Sequence, residues 1–172
     1  MTRTDPNRPS RGFAPIARRD ARILVLGSLP SRRSLQEGEY YAHPRNAFWP
    51  IIAELTGVSG AYAARCAALT GHRIALWDVL ESSERPGSMD AAIRRDTARA
   101  NDFEAFFRDH PDLGRICFNG RTAARLFKEL VEPSTGTSGA EPIVLPSTSP
   151  AYAAMPFADK LERWRAALAW SL

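Results

Sequence analysis

The chain has 172 residues, 44% of them hydrophobic, enough to bury one full core without disulfide or metal staples. Its formal charge of +4 sits at one end: residues 1–22 hold six arginines against Asp5 and Asp20, and the remainder is balanced. No run approaches the roughly 18 apolar residues of a membrane span, two cysteines are too few for a four-thiolate cluster or zinc site, and His43, His72 and His110 show no ligand spacing, so neither a membrane protein nor a resident metal is expected.

The first 20 residues are rich in Pro and Arg and lack an apolar signal core, which predicts a basic, flexible lead on a cytoplasmic protein. Residues 21–172 read as a single domain. "RILVLGS" (22–28) predicts a buried strand, followed by a long loop to about residue 46. "NAFWPIIAELTG" predicts a helix capped by Asn46, with Pro50 in its first turn and Gly57 at its end. "AYAARCAALTG" predicts a second helix.

"RIALWDVL" (73–80) is the next strand, with Asp78 as its polar tip. "ESSERPGSMD" is loop, and residues 88–95 begin a short helix. "NDFEAFFRDHP" (101–111) is helical, "RICFNG" (115–120) is a third strand, and "RTAARLFKEL" a further helix. The loop "EPSTGTSGAEP" leads to a fourth strand, "IVLPS" (143–147). The last helix begins near Phe157, where Phe157, Leu161, Trp164 and Leu168 form a stripe expected in the core. Cys66 and Cys117 stand in apolar or Ala-rich contexts and read as buried free thiols.

This alternation predicts an α/β fold, three layers α/β/α around a central four-stranded parallel sheet. In such folds the chemistry gathers in loops beyond the carboxyl ends of the strands. Those loops here are "GSLPSRRSL", "WDVLESSERPGS", "NGR" and "LPSTSPAYA". They contain no Walker A lysine, no G-x-G-x-x-G and no G-x-S-x-G elbow. They do contain Asp78 at a strand end, a costly place to bury an unpaired carboxylate. It is either a cap or turn residue, or an acceptor for a ring N–H or a positioner of water. The preceding segment "YYAHPRNAFW" (40–49) packs four aromatic rings beside an Asn, an Arg and a His. Such rings can simply cover the sheet, or they can stack a nucleobase while neighbouring groups read its edge.

"LVLGSLPS", "YYAHPRNAFW" and "VLPSTSPA" together resemble the uracil-DNA glycosylase superfamily, across nearly all of residues 22–170. Mismatch-specific members carry G-I-N-P-G, A-H-P-x-N-x-F-W and L-P-N-P-S at these places. With "GSLPS", "LWDVL", "NDFEAFF", "FNG" and "STSPA", the chain is most similar to the hypoxanthine-DNA glycosylase branch, the DNA-deoxyinosine glycosylases. There are departures. Leu29 stands where the mismatch enzymes have a water-positioning Asn, no Asp follows the first strand, and Ser147 falls where the uracil-specific enzymes have a His that stabilises the departing base. The chemistry is then run by other residues, or the protein binds without cleaving.

The resemblance implies a monofunctional glycosylase that hydrolyses the N-glycosidic bond of deaminated bases in DNA, chiefly hypoxanthine, during base-excision repair. A uracil or mismatch glycosylase and a non-catalytic damaged-DNA binder remain alternatives. Asn46, Asp78 and Ser147 are the candidate catalytic residues. Gly27, Ser28, Leu29 and Pro30, with Tyr41, Phe48 and Asp78, are expected to hold the base. Ser147, Thr148, Ser149, Pro150, Ala151 and Tyr152, with Arg45, are expected to meet DNA, with Tyr152 as the plug that fills the gap left by the flipped nucleotide. His43 reads as a turn residue and Asn119 as structural. No cofactor is expected, the partner is DNA, and the protein is expected to act as a monomer. Lys128 and Lys160 are the only lysines and both fall in helices, so a Schiff-base step has no obvious amine.

Overall fold

The computed structural model describes residues 9–169; the first eight residues of the basic lead and the last three of the chain lie outside the described residues. In chain order the elements begin with β1 (Ser10–Arg11), β2 (Ile23–Gly27), α1 (Arg32–Glu37), α2 (Phe48–Thr56) and α3 (Tyr62–Gly71). Next come β3 (Ile74–Asp78), β4 (Leu80–Ser83), β5 (Arg99–Ala100) and α4 (Phe103–Asp109). The chain closes with β6 (Arg115–Asn119), α5 (Arg121–Leu130), α6 (Glu132–Thr135), β7 (Glu141–Leu145) and α7 (Phe157–Leu168).

Strands β3, β2, β6 and β7 pair in that order, all parallel, into the four-stranded sheet that the alternation predicts. Side chains alternate across a strand, and β2 shows the consequence. Ile23 and Val25 face a cluster built by Phe48, Ile51 and Ile52 of α2, Leu69 of α3, and Trp164 and Leu168 of α7. Leu24 and Leu26 face the opposite cluster, in which Phe103, Phe106 and Phe107 of α4 meet Ala123, Leu126 and Phe127 of α5. Covered on both faces, β2 and β3 are buried at every position, which explains their uninterrupted apolar runs. The outer strand β7 is mostly exposed and carries Pro142 where a paired strand would need an N–H.

The structure departs from the predicted elements in several places. The run 73–80 is not one strand. Beyond Asp78, Val79 donates to the Gly27 carbonyl (2.8 Å) and Leu80 to that of Ser28 (3.1 Å). The chain then leaves the parallel sheet, and β4 pairs antiparallel with β1 and β5 in a separate three-stranded sheet. Val79 and Leu80 are both fully buried, so hydropathy alone could not reveal the change of partner. Residues 88–95 form two single 3-10 turns, Asp90–Ala92 and Arg95–Thr97, instead of a short helix.

The two expected loops each hold a short helix, α1 closed by Gly38 and α6 entered through Pro133. In α7, Trp164 and Leu168 are buried as the stripe requires, but Phe157 is 43% exposed and Lys160 is buried instead. From Ser10 to Ile16 the basic lead lies against the body: Ile16 bridges Leu76, and the Phe13 and Ala14 carbonyls accept from Trp77 Nε1 and the Tyr40 hydroxyl. Cys117 is buried and Cys66 half-buried, both free. No helix among the described residues is long and apolar enough to cross a membrane.

Candidate active site

The carboxyl ends of β2, β3 and β6 open into a cavity of about 540 Å³. Its walls are Gly27–Ser31 after β2, Tyr41, His43, Arg45 and Asn46 ahead of α2, Asp78 at the tip of β3, Met89 and Asp90, Asn119 at the tip of β6, and Thr148–Ala151 after β7. The volume suits one purine or pyrimidine with its sugar.

Asp78 is the electrostatic centre of the cavity. It is 3% exposed, and its Oδ2 is buried with no hydrogen-bond partner among the described residues. Burial, reinforced by the nearby Asp90 carboxylate and opposed by Arg85, pushes its pKa up to about 7. The Tyr41 hydroxyl is likewise buried without a hydrogen-bond partner among the described residues. Burial and the field of Asp78 hold it in its neutral form; Asn119 favours ionisation from nearby without a hydrogen bond of good geometry. Tyr41 also sits at φ 52°, an uncommon backbone conformation for a bulky residue, held by the surrounding packing. Two polar groups left unpaired at the bottom of a cavity are costly in isolation and suit a ligand that brings its own donors and acceptors.

The segment 40–49 is a rigid wall. The Tyr40 carbonyl accepts from Trp49 Nε1 (2.7 Å), the Tyr40 N–H donates to the Tyr62 hydroxyl (3.0 Å), and Ala42 N–H donates to the buried Ser34 Oγ (3.2 Å). Asn46 turns its side chain forward: Oδ1 accepts the Phe48 N–H at 2.9 Å. That N–H can only donate, so the facing amide atom is the oxygen. One lone pair of Oδ1 is therefore committed to the start of α2, while the second lone pair and both Nδ2 protons have no partner among the described residues. The N-cap of α2 is Ala47, not Asn46 as predicted, and carries no side-chain cap. Asn46 instead closes an Asx turn one residue earlier, because its side chain reaches only the Phe48 N–H, and that turn leaves its second lone pair open to a water.

The loop after β7 is pinned by Asn119. Its Oδ1 accepts the Thr148 N–H (2.9 Å) and its Nδ2 donates to Thr148 Oγ1 (2.8 Å). The Thr148 carbonyl in turn accepts from Ala47 (2.9 Å), which ties the loop to the start of α2. Further along, Lys160 Nζ donates to the Tyr152 carbonyl (2.6 Å) and lies 5.0 Å from the centre of the Tyr152 ring. Tyr152 is thereby held in place although its side chain is exposed.

Most of the residues expected from sequence converge here: Gly27, Ser28, Leu29, Pro30, Tyr41, Arg45, Asn46, Asp78, Thr148, Ser149, Pro150 and Ala151 all line the cavity. Three do not. Phe48 is fully buried behind the wall, its ring 4.4 Å from that of Tyr41 and 5.9 Å from that of Trp164, so it backs the cavity without facing it. Ser147 and Tyr152 line an adjoining hollow of about 560 Å³ beside Gly120, Arg121 and Arg163. The Ser147 hydroxyl there accepts the Ser149 N–H (3.2 Å) in a local turn.

Sequence reading missed Asp90 and Arg85, both from the excursion between β4 and β5. Asp90 borders both hollows and accepts the Ser28 hydroxyl at 2.6 Å. Arg85 is 3% exposed beneath the loop after β2. The "ERPGSMD" stretch that carries them reads as surface loop, and only its fold-back across β2 brings them in.

The model of the uracil DNA glycosylase superfamily matches residues 14–170. Proteins named hypoxanthine DNA glycosylase from Methanosarcina acetivorans and Methanosarcina barkeri are 38% and 33% identical to this chain over 142 residues, in each case 81% of this chain and 85% of the relative. A solution NMR structure from Methanosarcina acetivorans, described as a candidate uracil DNA glycosylase, superposes with a TM-score of 0.79 at 34% identity, covering 95% of this chain and 99% of that one.

Proposed function

The chain belongs to the uracil DNA glycosylase superfamily, and from that membership we propose that it is a monofunctional DNA glycosylase that releases deaminated bases, hypoxanthine first among them. The relatives named hypoxanthine DNA glycosylase support the choice of base. The observation that carries the reading is the unpaired buried carboxylate of Asp78 at the base of a nucleobase-sized cavity.

Hypoxanthine offers an N1–H donor and an O6 acceptor. Ionised Asp78 accepts from N1–H, and a backbone N–H of the Gly27–Ser31 loop donates to O6. Uracil presents a similar pair at N3–H and O4 and is a secondary substrate. Adenine has no N1–H and carries an amino group in place of O6, so it leaves Asp78 unpaired and confronts the loop N–H with another donor. Sites built on hydrogen bonds reject such analogues strongly.

Hydrolysis breaks the C1′–N9 bond and forms a bond from C1′ to a water oxygen. The sugar passes through an oxocarbenium-like state while negative charge gathers on the base. The free lone pair of Asn46 Oδ1 accepts a hydrogen bond from that water and aims its oxygen at C1′; the proton the water loses on bonding to C1′ passes through solvent, and the departing base anion is protonated in turn. An amide is a poor base, so it acts by positioning. Tyr41 forms one wall for the base, with Phe48 bracing it from behind. Ser147–Tyr152 and Arg45 meet the DNA backbone, Tyr152 filling the gap left by the flipped nucleotide. We assign the activity to one domain, residues 21–172, working as a monomer on DNA and without a cofactor.

The test uses matched oligonucleotides with a single hypoxanthine, uracil or adenine, incubated with protein and EDTA and then treated with alkali. The expected result is alkali-dependent scission at hypoxanthine, less at uracil and none at adenine. Scission at uracil equal to or above hypoxanthine would make it a uracil enzyme, and tight lesion binding without scission would make it a binder.

A further inference from the structure

Arg85 has no part in the roles assigned above, yet it is placed under the loop that reads the base. It is 3% exposed, and no salt bridge joins it to an acidic group among the described residues. Its Nη1 donates to the Leu29 carbonyl (3.1 Å) and its Nη2 to the Pro30 carbonyl, while Nε is buried without a partner. Burying a guanidinium to serve two neutral carbonyls is costly unless something offsets it. The Asp78 and Asp90 carboxylates favour the cation, and burial works against it.

The backbone explains what those two bonds do. Four successive carbonyls of the loop are drawn the same way: Gly27 and Ser28 accept from Val79 and Leu80, Leu29 and Pro30 from Arg85. In a trans peptide the following N–H points opposite to the carbonyl. The Leu29 and Ser31 N–H groups are consequently turned towards the cavity that Leu29 and Ser31 line, and neither has an acceptor among the described residues. Inward N–H groups of this kind make an anion-receiving concavity.

We propose that Arg85 is a positioning residue for base excision: by holding the Pro30 carbonyl away from the cavity it aims the Ser31 N–H at the base oxygen on which negative charge develops as the glycosidic bond breaks. That N–H acts beside the Leu29 N–H, which the Leu80 bond to the Ser28 carbonyl turns the same way, while the Arg85 bond to the Leu29 carbonyl fixes the Leu29–Pro30 peptide between them. The inference rests on the glycosylase reading and deepens it. It supplies a leaving-group stabiliser in a chain that has Ser147 where uracil-specific enzymes have a His. Arg85 itself does not touch the base.

The experiment compares single-turnover excision of hypoxanthine with affinity for duplex DNA carrying an abasic site, for the parent and for Arg85→Met, Arg85→Lys and Arg85→Ala. Abasic-site DNA has no base to meet the loop N–H groups, so its binding reports the fold and the DNA grip alone. Arg85→Met is expected to lose about 30-fold or more in excision rate, less than the roughly 100-fold or more for outright removal of an oxyanion donor because the N–H is misaimed and not deleted, with abasic-site affinity near the parent's. Arg85→Lys keeps the charge but cannot reach both carbonyls in one planar fork. It is expected to lose about tenfold or more, which keeps the test decisive if Arg85→Met does not fold. Guanidinium at low millimolar concentration should partly restore Arg85→Ala, which a general loss of fold would not allow.

Excision by folded Arg85→Met or Arg85→Lys at the parental rate, or rate and abasic-site affinity falling together without rescue, would overturn the assignment of Arg85 alone. A parent that excises neither hypoxanthine nor uracil would overturn the glycosylase reading and this inference with it.

Discussion

Gly27 and Asp78 stand opposite each other as register partners at the ends of β2 and β3. A Cβ placed on Gly27 would come within 3.0 Å of both Asp78 Oδ1 and the Tyr41 hydroxyl, closer than real Cβ atoms approach. Gly27 has no left-handed backbone to require a glycine; the crowding comes from the two polar groups. The missing side chain at Gly27 is what lets a carboxylate and a phenol share the floor of the cavity.

Gly27→Ala should therefore act on the site before it acts on the fold. The methyl group must displace Asp78 or Tyr41, and we expect excision of hypoxanthine to fall by about 100-fold or more, since misplacement by an ångström carries penalties of that order. Thermal unfolding should shift only modestly, by about 1–3 kcal/mol for overpacking. A variant that excises at the parental rate would mean that Asp78 is free to relocate.

The raised pKa of Asp78 gives a pH signature. If the ionised form accepts N1–H, single-turnover excision of hypoxanthine should climb as pH rises through about 7 and then level off. Asp78→Asn should remove that limb and alter the base preference. Stability runs the other way. The native state binds the Asp78 proton more tightly than the unfolded chain, so this contribution is complete below the ordinary value of 3.8 and is lost as pH rises through about 7. Relative to the parent, Asp78→Asn should gain stability between pH 4 and pH 8, on the order of 4 kcal/mol for a carboxyl raised from 3.8 to about 7. Urea denaturation at the two pH values measures it, and an unchanged difference would place Asp78 in a far more polar setting.

Asn46→Ala removes the oxygen proposed to position the water and the side-chain bond to the Phe48 N–H at the start of α2. Losing that bond costs about 1 kcal/mol of stability, which an intact core can absorb. Single-turnover excision should fall by about 100-fold or more, with affinity for lesion-bearing DNA changed by less than about threefold. Equal losses in rate and affinity would assign Asn46 to DNA binding instead.

Asn119→Ala tests the frame of the loop after β7, which we propose meets DNA. It leaves the buried Thr148 N–H without an acceptor and Oγ1 without its donor. A loss of about 2–4 kcal/mol is expected, together with weaker binding to DNA of any sequence. Unchanged stability in a denaturant titration would show that the loop is held by other contacts.

The parallel sheet and the segments ahead of the cavity were legible because their signals are local: buried strands read as apolar runs, and Gly, Asn and Pro punctuate the helices. Asp78 stood out for the same reason, as a carboxylate directly after "IALW". What escaped the sequence depends on partners far along the chain. Leu80 reads as the end of β3 and Glu81–Ser83 as loop until the register with Ser10–Arg11 is known. Asp90 reaches Ser28, and Arg85 reaches Leu29 and Pro30, only because that excursion folds back over β2. Phe48 shares a motif with Tyr41, yet a helical start turns it into the core. Phe157 follows the helical stripe but sits at the first position of α7, where that face has not yet met the sheet.

The most direct measurement is single-turnover excision of hypoxanthine by Asp78→Leu and Asp78→Asn, with active protein in each preparation counted by titration with abasic-site DNA. Leucine keeps the volume and removes the acceptor, so the expected loss is about 100-fold or more, with asparagine, an uncharged acceptor, in between. Excision by Asp78→Leu within about threefold of the parent, less than one hydrogen bond is worth, would contradict the assignment of Asp78 as the residue that reads the flipped base.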